Sequence, residues 1–247
     1  MRRCWRMVAA ACLAALAIAC RADPPAPRIL CVGDSITLGT TRGGERDGVD
    51  PEGGYPGRLA RVLGARARVL RRAAGGATAA MWLESPRDGI GRVLATALDE
   101  IGPRLPAAAW SASRVVDGVL AADRPDVVVV LLGTNDLMGS RAEAADAAVE
   151  EVLARLLSLR DVVVAHGMRP LVATVLPTRR PTATRVAALD QRLRVAVPDV
   201  VDLAAGFEAA GGLALLGDDV HPSEAGYECL AGLLAQALVA RGIVAVR

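Results

Sequence analysis

Alternation is the feature that most limits what this chain can fold into. Short runs of apolar and β-branched residues at 28–32, 67–70, 126–132, 170–176 and 199–203 are separated by stretches of helical period at 55–63, 90–101, 113–122, 143–166 and 184–194, and a last one at 225–241 closes the chain. Strands of that kind have no polar face, so both faces must be covered. The intervening helices are long enough to serve as crossovers and supply the cover. The expected fold class is therefore α/β: a three-layer α/β/α sandwich with a central, mostly parallel five-stranded sheet, flavodoxin-like. With 247 residues, 53% of them hydrophobic, the chain is long enough for one such domain with a full core, and it shows no internal repeat.

Right-handed crossovers also bring the loops after the strands to one edge of the sheet, where open α/β sheets gather their ligands. The first strand runs into Gly33-Asp34-Ser35, the second into Gly75-Gly76-Ala77-Thr78 and the third into Gly133-Thr134-Asn135-Asp136. A fourth polar loop, Asp218-Asp219-Val220-His221-Pro222, precedes the last helix. A serine on the first of these turns is either a helix cap or a nucleophile. The second role needs a base, and the chain holds only two histidines. His166 lies in VVVAHGMRP, at a helix end where a cation suits the dipole and the next glycine caps the turn, so its reading is structural. His221 follows Asp218 by three residues in a short loop, a spacing that lets a carboxylate orient the imidazole toward a neighbouring strand end.

The N-terminus reads as an export signal. MRRCWRM is basic, and the apolar run VAAACLAALAIA is shorter than the roughly 20 residues that span a bilayer. Residues 16–20, ending in Ala19-Cys20, resemble a bacterial lipobox, which implies cleavage before Cys20 and lipid on its sulfur; ordinary cleavage after the A-x-A run is the plainer alternative. The expected organisation is a signal peptide at 1–19, a lipid-anchor tether or linker at 20–27 and one domain at 28–247. The protein is expected to be exported, either anchored and facing the periplasm or cell surface, or periplasmic or secreted.

Removal of that segment takes away Arg2, Arg3 and Arg6 and leaves 26 basic against 27 acidic residues. No basic surplus remains for nucleic acid. The chain contains no lysine, and the arginines between 58 and 72 are expected to be solvated on a helix and a strand edge rather than to form a phosphate patch. Cys31 and Cys229 are expected to be small buried hydrophobes, although an oxidising compartment would permit pairing. No Cys/His cluster has metal-ligand spacing, so neither metal nor cofactor is expected.

The blocks GDSITLG, GGAT, GTND and DDVH stand in the order and context of the four sequence blocks of the SGNH or GDSL-type hydrolases, a group of esterases and lipases, and the resemblance runs from Arg28 to the final helix. It implies that Ser35 is the nucleophile, His221 the base that takes its proton and Asp218 the acid that fixes the imidazole tautomer. It further implies an oxyanion hole made of the backbone N–H groups of Ser35 and Gly76 and the side-chain amide of Asn135. This chain departs from the family in two places. Its second block reads Arg71-Arg72-Ala73-Ala74-Gly75-Gly76 where an asparagine often stands a few residues before the glycine, which leaves Gly75 as a rival to Gly76. Residues 84–124 spend two extra helical segments, read either as a cap over the cleft or as an extra layer of scaffold.

Other readings explain less. The G-x-S-x-G elbow of α/β-hydrolases fails because Thr37 stands where the second glycine belongs. A phosphate-cradling turn of a flavodoxin-like protein, with Ser35 as cap, needs neither His221 nor Asn135. An exported scaffold or binding lipoprotein that kept the fold without turnover is the alternative from another class, and acyl transfer or thioester hydrolysis are alternatives for the same site. The expected partner is a small acyl ester, with membrane contact only through the N-terminal lipid; a monomer is expected. With aromatics at 2%, the chain has few stacking platforms, which disfavours long polysaccharides.

Overall fold

The computed structural model describes residues 25–41, 50–139 and 145–246. The export segment at 1–19, the lipidation candidate Cys20 and residues 42–49 of the loop after Ser35 lie outside the described residues.

Four parallel strands build the sheet: β1 Arg28–Gly33, β2 Arg68–Ala73, β3 Val127–Leu131 and β4 Arg169–Val172, in the spatial order β2-β1-β3-β4. The helices in chain order are α1 Ser35–Leu38, α2 Gly54–Leu63, α3 Ala79–Leu83, α4 Gly89–Ile101 and α5 Val115–Asp123. They continue with α6 Thr134–Met138, α7 Ala145–Ala165, α8 Ala183–Ala196, α9 Leu203–Ala209 and α10 Glu224–Ala240. Because successive side chains leave a strand on opposite faces, the central strands feed two separate cores. Leu30, Val32, Val128 and Val130 pack with Trp82 and the apolar sides of α4, α5, α7 and α8. Ile29, Cys31, Val127 and Val129 pack with Tyr55, Phe207 and Tyr227 from α2, α9 and α10. The result is the expected three-layer sandwich with a parallel sheet.

The fifth run of β character, at 199–203, shrinks to a single parallel bridge between Ala173 and Val201. Val201 N–H donates to Val172 O at 2.9 Å and Thr174 N–H to Val201 O at 3.1 Å, and then the ladder stops. Asp202 stops it, since its carboxylate accepts from Ala205 N–H and caps α9. The run at 170–176 is shortened too: Val175 N–H bonds to the side chain of Asp190, at 2.7 Å, instead of to a strand. Residues 84–124 contribute Leu94, Leu98, Leu105, Val115 and Val119 to the same core as the sheet residue Leu30.

Within the arginine cluster Arg61 and Arg68 are exposed as expected, whereas Arg58, Arg71 and Arg72 depart from that expectation. Arg58 and Arg72 are only 7% and 6% exposed. Arg58 grips Asp50 through Nε at 3.2 Å and Nη2 at 2.7 Å, and Arg72 grips Asp123 through Nε at 2.8 Å and Nη2 at 2.9 Å. Arg71 donates to Leu38 O at 2.7 Å and Gly53 O at 2.9 Å, which ties the end of α1 to the start of α2. These guanidiniums are internal struts, and their planar forks satisfy several acceptors at once. Cys31 and Cys229 are both free thiols; Cys31 is fully enclosed, and burial pushes its pKa up to about 12. His166 sits on the surface with Nε2 2.9 Å from Asp117 Oδ1, beside Gly167 at φ 75°.

Burial also raises Asp190, to about 7, well above the ordinary carboxylate value. The folded chain then holds a proton that the unfolded chain has already lost above about pH 4, so this group's contribution falls as pH rises toward 7 and levels off beyond it. Asp190→Asn keeps an acceptor for Val175 N–H and carries no charge. The asparagine variant should therefore gain stability over wild type between pH 5 and pH 8, by on the order of 2 kcal/mol, read as several degrees in melting temperature. Asp34, also raised, tilts both proteins alike, so the difference between them isolates position 190. An equal difference at both pH values would refute the assignment.

Candidate active site

The question whether Ser35 is a cap or something else is answered by its neighbour. Asp34 is the N-cap of α1: its Oδ1 accepts from Ile36 N–H at 2.9 Å. That leaves the Ser35 side chain without a capping task, at the head of α1 and partly exposed. Gly33 is obligatory just before it, since a Cβ there would lie 1.9 Å from Thr37 Oγ1 and 2.8 Å from Leu131 O.

Opposite Ser35 stands the loop before α10, closed as a narrow hairpin. Gly217 N–H donates to His221 O at 2.7 Å and Ser223 N–H to Leu215 O at 2.8 Å. Within it, Asp218 Oδ1 accepts from the N–H groups of Val220 and His221, both at 2.7 Å. Its Oδ2 lies 2.8 Å from His221 Nδ1, and His221 Nε2 lies 2.9 Å from Ser35 Oγ. A carboxylate on one ring nitrogen places the proton there and leaves the other nitrogen to accept from the serine hydroxyl. The loop is thus built so that the backbone aims Asp218 and Asp218 aims the imidazole.

Asn135 lies in the first turn of α6 and reaches toward the first two loops. Its Nδ2 is 3.0 Å from Ala77 O and 3.4 Å from Asp34 Oδ2. Asp136 turns instead to α3, accepting from Ala79 N–H at 3.0 Å, with Arg155 at 3.5 Å from its other oxygen. Gly76 is exposed and takes φ 75°, the left-handed region, in a turn closed by Ala77 N–H to Ala74 O at 3.2 Å. Among the described residues, its chain neighbours aside, a Cβ on Gly76 would meet no atom within 4 Å, so the glycine is required by its backbone angle. Ser35, Asp218 and His221 are thus brought into one hydrogen-bonded chain, and Asn135 is joined to the Ser35 turn through Asp34 and to the Gly76 turn through Ala77.

Asp34 itself was not legible as a site residue. It is 1% exposed, and burial, with Asp136 nearby, pushes its carboxyl up to about 7. The signal available was an aspartate just ahead of a helix start, a preferred capping residue. Among the described residues no group of three His, Cys, Asp or Glu side chains is arranged to hold a metal ion.

A helix-covered parallel sheet thus carries a serine, an imidazole and a carboxylate in line at its C-terminal edge. The family model for GDSL-like lipases and acylhydrolases matches residues 31–229, and the chain belongs to that family. No curated protein matches the chain. Solved structures with the same fold include a lipase/acylhydrolase from Enterococcus faecalis, 21% identical, with TM-score 0.58 over 87% of this chain and 96% of that one. A member of the lipolytic G-D-S-L family from Veillonella parvula is 16% identical, with TM-score 0.57 over 85% and 96%. A variant of an acetyl xylan esterase from Geobacillus stearothermophilus is 22% identical, with TM-score 0.55 over 90% and 97%.

Proposed function

We propose that this protein is a serine esterase that hydrolyses carboxylic esters of small acyl groups through an acyl-enzyme. The observation that carries the reading is the continuous line Asp218 Oδ2, His221 Nδ1, His221 Nε2, Ser35 Oγ, with links of 2.8 and 2.9 Å. Ser35 Oγ attacks the ester carbonyl while His221 Nε2 takes its proton. The tetrahedral intermediate collapses, the C–O bond to the alcohol breaks, and the same proton leaves with the alcohol. Water then enters, gives its proton to His221 Nε2 and attacks the acyl carbon; the proton returns to Ser35 Oγ and the acid departs. Asp218 stays ionised throughout and stabilises the imidazolium.

The oxyanion is met by the N–H groups of Ser35 and Gly76 and by the Asn135 amide. Before substrate arrives, Asn135 Nδ2 faces Ala77 O and Asp34 Oδ2. The 3.4 Å contact to Asp34 is the weaker one, so it is the one that yields to the oxyanion while the bond to Ala77 keeps the amide in place.

The test is hydrolysis of p-nitrophenyl esters across acyl length, followed by acetylated sugars. Wild type should turn over short esters without added metal or cofactor, and Ser35→Ala should not. Activity that survives in Ser35→Ala, or that is abolished by EDTA and restored by zinc, would refute the reading. We further propose that the enzyme is tethered through Cys20. Wild type should then fractionate with membranes and Cys20→Ala should not; a wholly soluble wild type with a mature N-terminus elsewhere would leave plain secretion.

A further inference from the structure

The loop that presents Asp218 and His221 has an exposed tip at Asp219; inside it the Asp218 carboxylate is held by Val220 and His221 N–H, and Leu216 and Val220 are buried in the core under the sheet. A further tie fixes the tip. The segment leaving β4 supplies it: Thr178 Oγ1 donates to Asp219 O at 2.7 Å, and Arg179 N–H donates to the same carbonyl at 2.9 Å. The Arg179 guanidinium spans the loop, with Nη1 2.5 Å from Asp218 O and Nη2 2.5 Å from Leu213 O. The carbonyls of Asp219, Asp218 and Leu213 are thus tied to the segment that leaves β4, and one of them belongs to Asp218 itself. Arg180 adds a looser contact, Nε to Asp219 Oδ2 at 3.5 Å, with both side chains about half exposed, where an ion pair contributes little.

We propose that Arg179 is a positioning residue for the acid and the base: it clamps the Asp218 loop to the exit of β4 and so holds the Asp218 carboxylate in register with His221 Nδ1. This deepens the esterase reading and rests on it. Arg179 does not reach the reacting atoms. Its guanidinium bonds to the main chain of Asp218, whose side chain holds the imidazole, and a small shift of that main chain is transmitted to Nε2 two bonded contacts away. A planar fork suits the task, because one rigid group bridges the Asp218 carbonyl in the loop and the Leu213 carbonyl in the turn before it.

The experiment compares Arg179→Met, which keeps the apolar stem and removes both donors, with Arg179→Lys, which restores a single cationic donor. The expected result for Arg179→Met is a fall in kcat on the order of tenfold with KM nearly unchanged, since misplacement of a catalytic group is felt in the transition state. Arg179→Lys should recover part of the loss. A packing role alone would move melting temperature and leave kcat per folded molecule intact, so both are measured together. A second readout does not depend on turnover. With only two histidines in the chain, the downfield proton on His221 Nδ1 can be assigned by proton NMR in a His166→Gln background. That resonance should be sharp with Arg179 and broadened in the methionine variant, in protein that melts as wild type does. A sharp resonance and unchanged kcat in Arg179→Met would overturn the clamp. Were wild type to lack esterase activity altogether, the esterase reading would fail while the NMR comparison still decided whether Arg179 holds Asp218 to His221.

Discussion

His221→Ala should lower kcat by on the order of 10⁴ or more, about as much as Ser35→Ala, and the double variant should be scarcely worse than either alone. The two residues share one task. In the proposed mechanism the base for Ser35 Oγ is His221, whose Nε2 lies 2.9 Å from it. Removing either partner abolishes the same proton transfer, so the two losses cannot add. The residual rate should come from the oxyanion donors and binding. His166→Gln is the internal comparison, because the chain's other histidine is a surface partner of Asp117. It should cost at most about 1 kcal/mol of stability, as expected for the loss of one exposed hydrogen bond, and leave turnover nearly intact. Steady-state kinetics of the variants and wild type on one aryl ester would decide between these outcomes. Full activity in His221→Ala would end the hydrolase reading and leave GDSITLG a capped turn.

Asn135→Ala should lower kcat by about 10²–10³ with a smaller change in KM, which corresponds to about 3–4 kcal/mol of transition-state stabilisation. The amide meets a charge that exists mainly after attack, so the ground state loses little. Ala77 O also loses a donor in this variant, at a cost of about 1 kcal/mol in stability, which a melting curve separates from the kinetic effect. Asn135→Asp adds a contrast: it keeps the shape, supplies no donor and sets a third carboxyl beside Asp34 and Asp136. It should be at least as slow as Asn135→Ala. An effect confined to KM would show that Asn135 binds substrate without stabilising the oxyanion.

Much of the site was readable because its chemistry is local to short blocks. Asp218 and His221 lie three residues apart, and backbone bonds inside that span aim one at the other. Ser35 and His221 are 186 residues apart; crossover handedness accounts for Ser35 at the edge of the sheet, whereas the meeting with His221, whose loop follows a helix, was implied by the resemblance of the four blocks to the SGNH hydrolases. Side chains that reach across elements were not readable in this way. Nothing in the run Pro177-Thr178-Arg179-Arg180 marks it as the brace of a loop some forty residues later, because an arginine donating to main-chain carbonyls has no sequence partner to pair with. Arg58, Arg71 and Arg72 looked solvated for the same reason: composition assigns charge to the surface on average, and only the arrangement of Asp50, Asp123 and the carbonyls of Leu38 and Gly53 could make burial favourable.

By itself, then, the order of apolar runs and helical periods determined the layers, and the four polar blocks determined which side chains stand at the sheet's edge. The layers follow from short-range periodicity and from the handedness of the chain, and the choice of side chains from the resemblance of those blocks to the SGNH hydrolases. Tertiary structure decided three things that local pattern leaves open. It gave the cap of α1 to Asp34 and so left Ser35 Oγ to His221. It ended the fifth strand at Val201, because Asp202 satisfies the first turn of α9 and thereby competes with the ladder for the backbone. It also set Asn135 between Ala77 and Asp34, a position fixed by the packing of three separate loops, each of which is specified only once the sheet has formed.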